Sequence, residues 1–223
     1  MPRHARFRLD GYPFHIVHRG NNRGACFVDD FDRRLYLALL EEFTVEDRCD
    51  LHAFVLMTNH VHLLVTPEHA TSVSRFMKNV AQRYTQRFNK KHKRTGSLWE
   101  GRFHSSIVDT GFLLYCQRYI ELNPVRAGMV RHPAFYRWSS FHAYADGTSS
   151  KLVKAHRQYM ALGPDEPSRR AAYLAFLNEV VSPVEVERIR SAARGGFALG
   201  SREFGARLAS LLGKSPLRAS EQR

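Results

Sequence analysis

Along the first half of the chain the apolar residues switch between two periods. Phe7 to Arg19 alternates loosely through Phe14, Ile16 and Val17 and stops at Gly20-Asn21-Asn22, which is turn chemistry, so it predicts a strand. From Asp29 to Arg48 the spacing becomes helical, with Phe31, Leu35, Leu39 and Phe43 on one face and Asp29 or Asp30 as the N-cap. Leu51 to Leu56, a Thr58-Asn59 turn, and His60 to Thr66 closed by Pro67 read as a hairpin. Ser72 to Lys91 is helical again through Val73, Phe76, Val80, Tyr84 and Phe88, and Thr95-Gly96 breaks the pattern. Leu98 to Val108 is aromatic and β-capable. Gly111 to Leu122 predicts a short helix that stops before Asn123-Pro124, because the residue preceding proline is pushed out of the α region.

Strand, helix, strand, strand, helix, strand and then helix is a βαββαβ split unit. The expected fold is therefore α+β and ferredoxin-like (RRM-like), one antiparallel sheet with helices on one face. Beyond residue 146 the texture changes. Asp146-Gly147-Thr148-Ser149-Ser150 reads as a linker, and Gly163 to Pro167 as a loop. Residues 168–181, 183–193 and 201–212 lean helical and are rich in Arg, so a core domain over 1–146 is expected to carry a basic helical C-terminal extension over 151–223.

At 223 residues, 43% hydrophobic and 25% charged, the chain has material for a core without staples, which excludes disorder and rod-like folds. No window approaches the roughly 18 apolar residues of a membrane span, and the N-terminus leads into no signal-type apolar run. A cytoplasmic, nucleoid-associated protein with no membrane partner is expected. Cys26, Cys49 and Cys116 are odd in number and form no CxxC pair, so they read as small core residues rather than a disulfide framework or zinc ribbon. The net charge of +13 makes a polyanion the first partner to consider, and nucleic acid before an anionic membrane. From Arg75 to Arg94 there are eight basic residues and no acid, either a solvated helix face or a phosphate-binding tract.

Two constellations carry chemistry. In His60-Val61-His62 the strand period sends both imidazoles to one face, about 7 Å apart, while Val61, Leu63 and Val65 point into the core. With twelve histidines in the chain an isolated H-x-H is weak, but a strand whose other face already supplies the core leaves no packing reason for two exposed histidines side by side. They can share a divalent ion. In the second constellation, Tyr119 and Asn123 lie at i and i+4 on one helix face, projecting a phenol and a carboxamide together. Taken alone, the pair reads first as a packed tyrosine and a helix-ending Asn before Pro124. Taken with the histidines it suggests a tyrosine hydroxyl attacking phosphorus while a metal polarises a non-bridging oxygen.

The segment Met57-Thr58-Asn59-His60-Val61-His62-Leu63-Leu64-Val65 resembles the strand motif of the HUH single-tyrosine transposases, where U is a hydrophobic residue. Tyr119-Ile120-Glu121-Leu122-Asn123-Pro124-Val125-Arg126-Ala127-Gly128 is similar to their catalytic helix and the segment after it, and Gly101-Arg102-Phe103 after Trp99 to the preceding strand. Within that superfamily the chain looks most like the REP-associated tyrosine transposases. The resemblance implies Tyr119 as nucleophile, His60 and His62 as metal ligands and Asn123 as the third ligand, a position often held by Gln in mobile insertion-sequence relatives. It also implies Mg²⁺ or Mn²⁺ as cofactor. The implied reaction cleaves and rejoins single-stranded DNA beside a hairpin, leaving a 5′-phosphotyrosine and a free 3′-hydroxyl. Ala198 to Phe204 looks like the C-terminal extension of longer members, whose role is either DNA contact or packing onto the core.

Phosphate contacts are expected from Arg3, Arg6 and Arg8 and from Arg75, Lys78, Arg83, Arg87, Lys90 and Lys91. Tyr84 and Trp99 are either base-stacking groups or core, and Glu100 and Glu121 are expected to be solvated carboxylates near the site. Two rivals keep the same charge. One is a non-catalytic RRM-like binder of single-stranded nucleic acid, and the other a metal-dependent nuclease that uses water.

Overall fold

The computed structural model describes residues 7–148, 150–213 and 216. Strands β1 (Phe14–Arg19), β2 (Cys49–Leu56), β3 (His60–Pro67) and β4 (His104–Ile107) form one antiparallel sheet in the order β2-β3-β1-β4. Helices α1 (Asp30–Glu46) and α2 (Ser72–Lys91) pack together on one face, as the alternation predicts. That face presents Phe14, Ile16, Val61, Leu63 and Val65, all buried.

The opposite face is covered too. It meets α3 (Leu113–Glu121) and, from the extension, α8 (Pro183–Gly195). Between and beyond them run α4 (Asn123–Arg126), α5 (Phe141–Ala145), α6 (Arg157–Met160), α7 (Glu166–Asn178) and α9 (Arg202–Leu212). Ile189, Ala192, Leu199, Phe204 and Leu208 of the extension belong to the same apolar core as the sheet, while Phe141, Tyr144, Tyr159, Tyr173 and Leu177 form a second cluster. The second layer corrects one expectation: His62 is only 5% exposed, because α3 lies over it.

Two strands are shorter than their apolar runs. The first begins at Phe14 rather than Phe7, following Gly11, whose φ of +70° turns the chain, and Pro13. The last spans His104 to Ile107 rather than Leu98 to Val108. Gly101, at φ +66°, interrupts it, leaving Trp99 a single bridge to Gly20. Trp99 and Phe103 are nonetheless buried, so their hydrophobicity was a core signal rather than a strand signal. The three cysteines are free and buried, and among the described residues no helix is long and apolar enough to cross a membrane.

Later segments of the chain run along both sheet edges. Along β2, Leu56 N–H donates to Trp138 O (2.9 Å), Ser140 N–H to Phe54 O (3.0 Å) and Lys154 N–H to Leu51 O (2.8 Å). Along β4, Leu199 N–H donates to Ile107 O at 2.8 Å, and Asp109 N–H just beyond the strand donates to Leu199 O at 2.7 Å.

The α1–α2 layer is pinned at one point. Asp29 and Asp32 form a reciprocal capping box at the start of α1, and the Asp32 carboxylate also accepts from Val28 N–H (2.9 Å), Lys91 Nζ (2.8 Å) and His92 Nε2 (2.9 Å). Burial alone would raise the Asp32 pKa, but these donors together hold it below the usual carboxylate value. A depressed carboxyl contributes stability that is present above its unfolded pKa and fades as pH falls. Replacing Asp32 by Asn is expected to lower the unfolding free energy at neutral pH by about 2 kcal/mol. It should also remove the part of the wild-type stability that fades below about pH 4. Urea denaturation at neutral and acid pH measures both, and an unchanged neutral midpoint would show that the cluster does not tie α1 to α2.

Candidate active site

Antiparallel register builds one wall of the site. Val17 lies opposite His62 and His15 opposite Leu64, so His15, Val17, His60 and His62 share the face that α3 covers. The His60 and His62 rings are 5.0 Å apart between centroids. His60 Nδ1 donates to Asn59 Oδ1 at 2.7 Å, which leaves its Nε2 lone pair unshared. His62 Nδ1 is 2.8 Å from His15 Nε2, and the two rings stack with centroids 5.1 Å apart. With the shared proton on His62 Nδ1, its Nε2 likewise keeps its lone pair. Burial holds the imidazoles neutral. It lowers His60 to about 4 with help from Arg19, His15 to about 3, and His62 well below its ordinary value, where His15, His60, Arg126 and Arg19 add to the effect.

Helix α3 brings the phenol. Its back face is held by two polar groups without access to water. The Glu121 carboxyl accepts from Ser140 Oγ (2.7 Å) and Tyr173 Oη (2.8 Å), and burial raises it to about 7 against those hydrogen bonds. Arg118, 2% exposed, donates to Phe176 O at 2.8 Å and to Glu185 at 3.1 Å, its guanidinium 4.0 Å from the Phe176 ring centroid. With that face fixed to α7 and α8, the front of α3 sets Tyr119 edge-on against His62 and His15, with 5.8 Å between centroids in each case. Asn123 comes one turn later. Its amide NH₂ donates to Tyr119 O (3.1 Å) and Ile120 O (3.4 Å), ending the helix, so its carboxamide oxygen is the group left for the cavity that Asn123 lines. Asn123 thus ends the helix, as its position before Pro124 allowed, while lining the cavity.

These groups open on a cavity of about 650 Å³, lined by His15, His60, His62, Tyr119, Asn123 and Arg126, with Arg19, Glu100, His104 and three polar residues of α8 also on its wall. Tyr119, His60, His62 and Asn123 are therefore together. Among the described residues no three His, Cys, Asp or Glu side chains cluster as a metal site, and the donor set that exists is two neutral imidazoles and one amide oxygen. That set fits a divalent ion with open positions.

The expected phosphate-binding residues are more scattered. Arg3 and Arg6 lie outside the described residues, and Arg8 is exposed. Lys91 is ion-paired with Asp29 (2.6 Å) and Asp32 (2.8 Å), and Arg75 with Asp47 (3.5 Å). Lys91 is thus engaged in holding α2 to α1. Lys78, Arg83, Arg87 and Lys90 are exposed, but on the helix layer across the sheet from the cavity. Tyr84 and Trp99 are core: the Trp99 ring stacks on His18 at 4.2 Å and Tyr84 Oη donates to Cys26 O at 2.6 Å. Glu100 is exposed at the cavity, whereas Glu121 is fully buried and corrects the expectation of a solvated carboxylate.

Sequence reasoning missed His15 and Arg126 as cavity residues. His15 is detectable only once β1 and β3 are placed in register. Arg126 sits inside the tyrosine motif, its guanidinium 4.2 Å from the Tyr119 ring centroid and donating to Tyr119 O.

A solved structure of a REP-associated tyrosine transposase bound to a REP hairpin superposes with a TM-score of 0.58 at 18% identity, covering 70% of this chain and 93% of that one. A Deinococcus radiodurans R1 protein provisionally described as a transposase aligns with a TM-score of 0.37 at 24% identity, over 54% of this chain and 96% of its own. No curated protein matches the sequence significantly. The IS200-like transposase pattern matches residues 9–123, from the segment before β1 to Asn123. Spanning more than half of the sequence and holding the histidine pair and the tyrosine helix alike, that match shows that the chain belongs to the IS200-like transposase family.

Proposed function

We propose that this protein cleaves and rejoins single-stranded DNA beside hairpin, REP-type sequences through a 5′-phosphotyrosine, with Tyr119 as the nucleophile. The observation that carries the reading is the meeting of a phenol with two neutral imidazoles and a carboxamide in one cavity. The hairpin bound by the REP-associated relative supports the substrate class.

Tyr119 Oη attacks the scissile phosphorus. The P–O bond to tyrosine forms as the bond to the 3′-oxygen breaks, and the phenol proton is balanced by protonation of the leaving 3′-oxygen. No water enters, so the phosphodiester energy is kept for rejoining. His60, His62 and the Asn123 oxygen would hold Mg²⁺ or Mn²⁺, which when bound polarises a non-bridging phosphate oxygen. Asn59 and His15 orient the two imidazoles through their Nδ1 atoms. The T-shaped seat on His62 and His15 fixes the phenol ring, and the anchored back of α3 keeps it there.

Incubating the protein with single-stranded DNA carrying a hairpin and running a denaturing gel tests the reading. Wild type is expected to leave protein covalently on the 5′ end, and Tyr119→Phe to bind the DNA normally without forming that adduct. Cleavage without any attached protein would indicate hydrolysis by water, and an adduct surviving in Tyr119→Phe would remove this tyrosine from the role. Adduct formation is expected to stop in EDTA and return with Mg²⁺ or Mn²⁺. His60→Ala should reduce it about 100-fold or more while binding of DNA in EDTA is unchanged. If the exposed face of α2 carries phosphate, replacing Arg83 and Arg87 by Gln should lower the slope of log affinity against log salt by about 0.7 per lost contact, as read by anisotropy titrations.

A further inference from the structure

The extension reaches the cavity through α8. Ile189, Ala192 and Ala193 are buried and pack that helix onto β4 and β1. Glu187, Arg190 and Arg194, one turn apart, stand on the cavity wall. Glu187 is ion-paired with Arg194 and Glu185 with Arg118, whereas Arg190 is exposed and makes no ion pair among the described residues. Facing the same space is Arg126, whose Nε and Nη1 are buried without hydrogen-bond partners while another nitrogen donates to Tyr119 O. No carboxylate pairs with either guanidinium among the described residues. Glu100 and Glu187 line the cavity against four arginines, Arg19, Arg126, Arg190 and Arg194, so the space favours an anion. Two guanidiniums without carboxylate partners on the wall of one cavity, one of them with buried donors unmet, favour an oxyanion shared between them.

We infer that Arg126 and Arg190 together seat a phosphate of the single-stranded DNA beside Tyr119, so that the C-terminal extension supplies part of the active site. The inference rests on the proposed reaction for its placement, and it assigns the extension a binding role that mere packing would not give. Arg126 acts from within the tyrosine motif. Arg190 acts from a helix far along the chain, and being exposed it can be changed without disturbing the core.

The test uses the full chain and a labelled oligothymidylate of about twelve nucleotides, titrated by anisotropy in EDTA over a range of salt concentrations. Arg190→Ala is expected to weaken binding about five- to tenfold and to lower the salt slope by about 0.7, with an unchanged melting temperature. Arg190→Lys keeps the charge and is expected to keep the slope. Arg126→Gln should weaken binding as well, and the double variant should lose less than the product of the two single effects, because both groups hold one phosphate. Wild-type affinity and slope in Arg190→Ala, or loss of slope in Arg190→Lys, would overturn the inference. The covalent adduct is scored in parallel on the wild type. An adduct together with an inert Arg190→Ala sinks this inference alone. Coupled arginine effects without any adduct leave the phosphate seat standing and sink the tyrosine chemistry.

Discussion

A carboxyl group with no water around it holds the site together. Glu121 sits on the side of α3 away from the cavity, and leaving such a group unpaired in an apolar interior would cost several kcal/mol. The hydroxyls of Ser140 and Tyr173 meet it from the turn before α5 and from α7, so three distant parts of the chain converge on one side chain. Because α3 is clamped from behind by this group and by Arg118, the phenol on its front is held in a fixed place rather than riding on a short, loosely packed helix. The regions beyond the motif segments are thus part of the support for the nucleophile.

The second constraint is that the sheet is covered on both faces. An HxH pair on an open face would titrate near neutral pH, and protonated imidazoles repel a cation. Under α3 the pair is desolvated and stays neutral, with each Nδ1 engaged by a neighbour. The layer that dries the histidines thus keeps them neutral, while Asn59 and His15 set their orientation.

Much of this was readable from residue patterns, and the limits have physical causes. The two long helices and the hairpin were legible because Leu39, Phe43, Val80 and Phe88 repeat at helical spacing and His60 to Val65 at strand spacing. The last strand was overextended because Trp99 and Phe103 are buried in a loop that Gly101 turns, and burial alone does not distinguish loop from strand. Tyr119 and the histidine pair could be grouped by motif. His15 and Arg190 could not be grouped from spacing, since each meets the site across elements joined only by topology, and Arg126, though inside the tyrosine motif, carried no local signal that it turns back onto the Tyr119 ring. Lys91 looked like a free cation for the complementary reason: its acids, Asp29 and Asp32, lie on another helix. The fate of Glu121 depended on α7 folding back, which no local pattern announces.

Trp138, Ser140 and Lys154 occupy backbone groups along β2, and Leu199 takes the Ile107 carbonyl at the end of β4, so among the described residues later segments of the chain run along both borders of the sheet. That cover leaves less open backbone for strand-by-strand aggregation, a hazard for any small sheet with open borders.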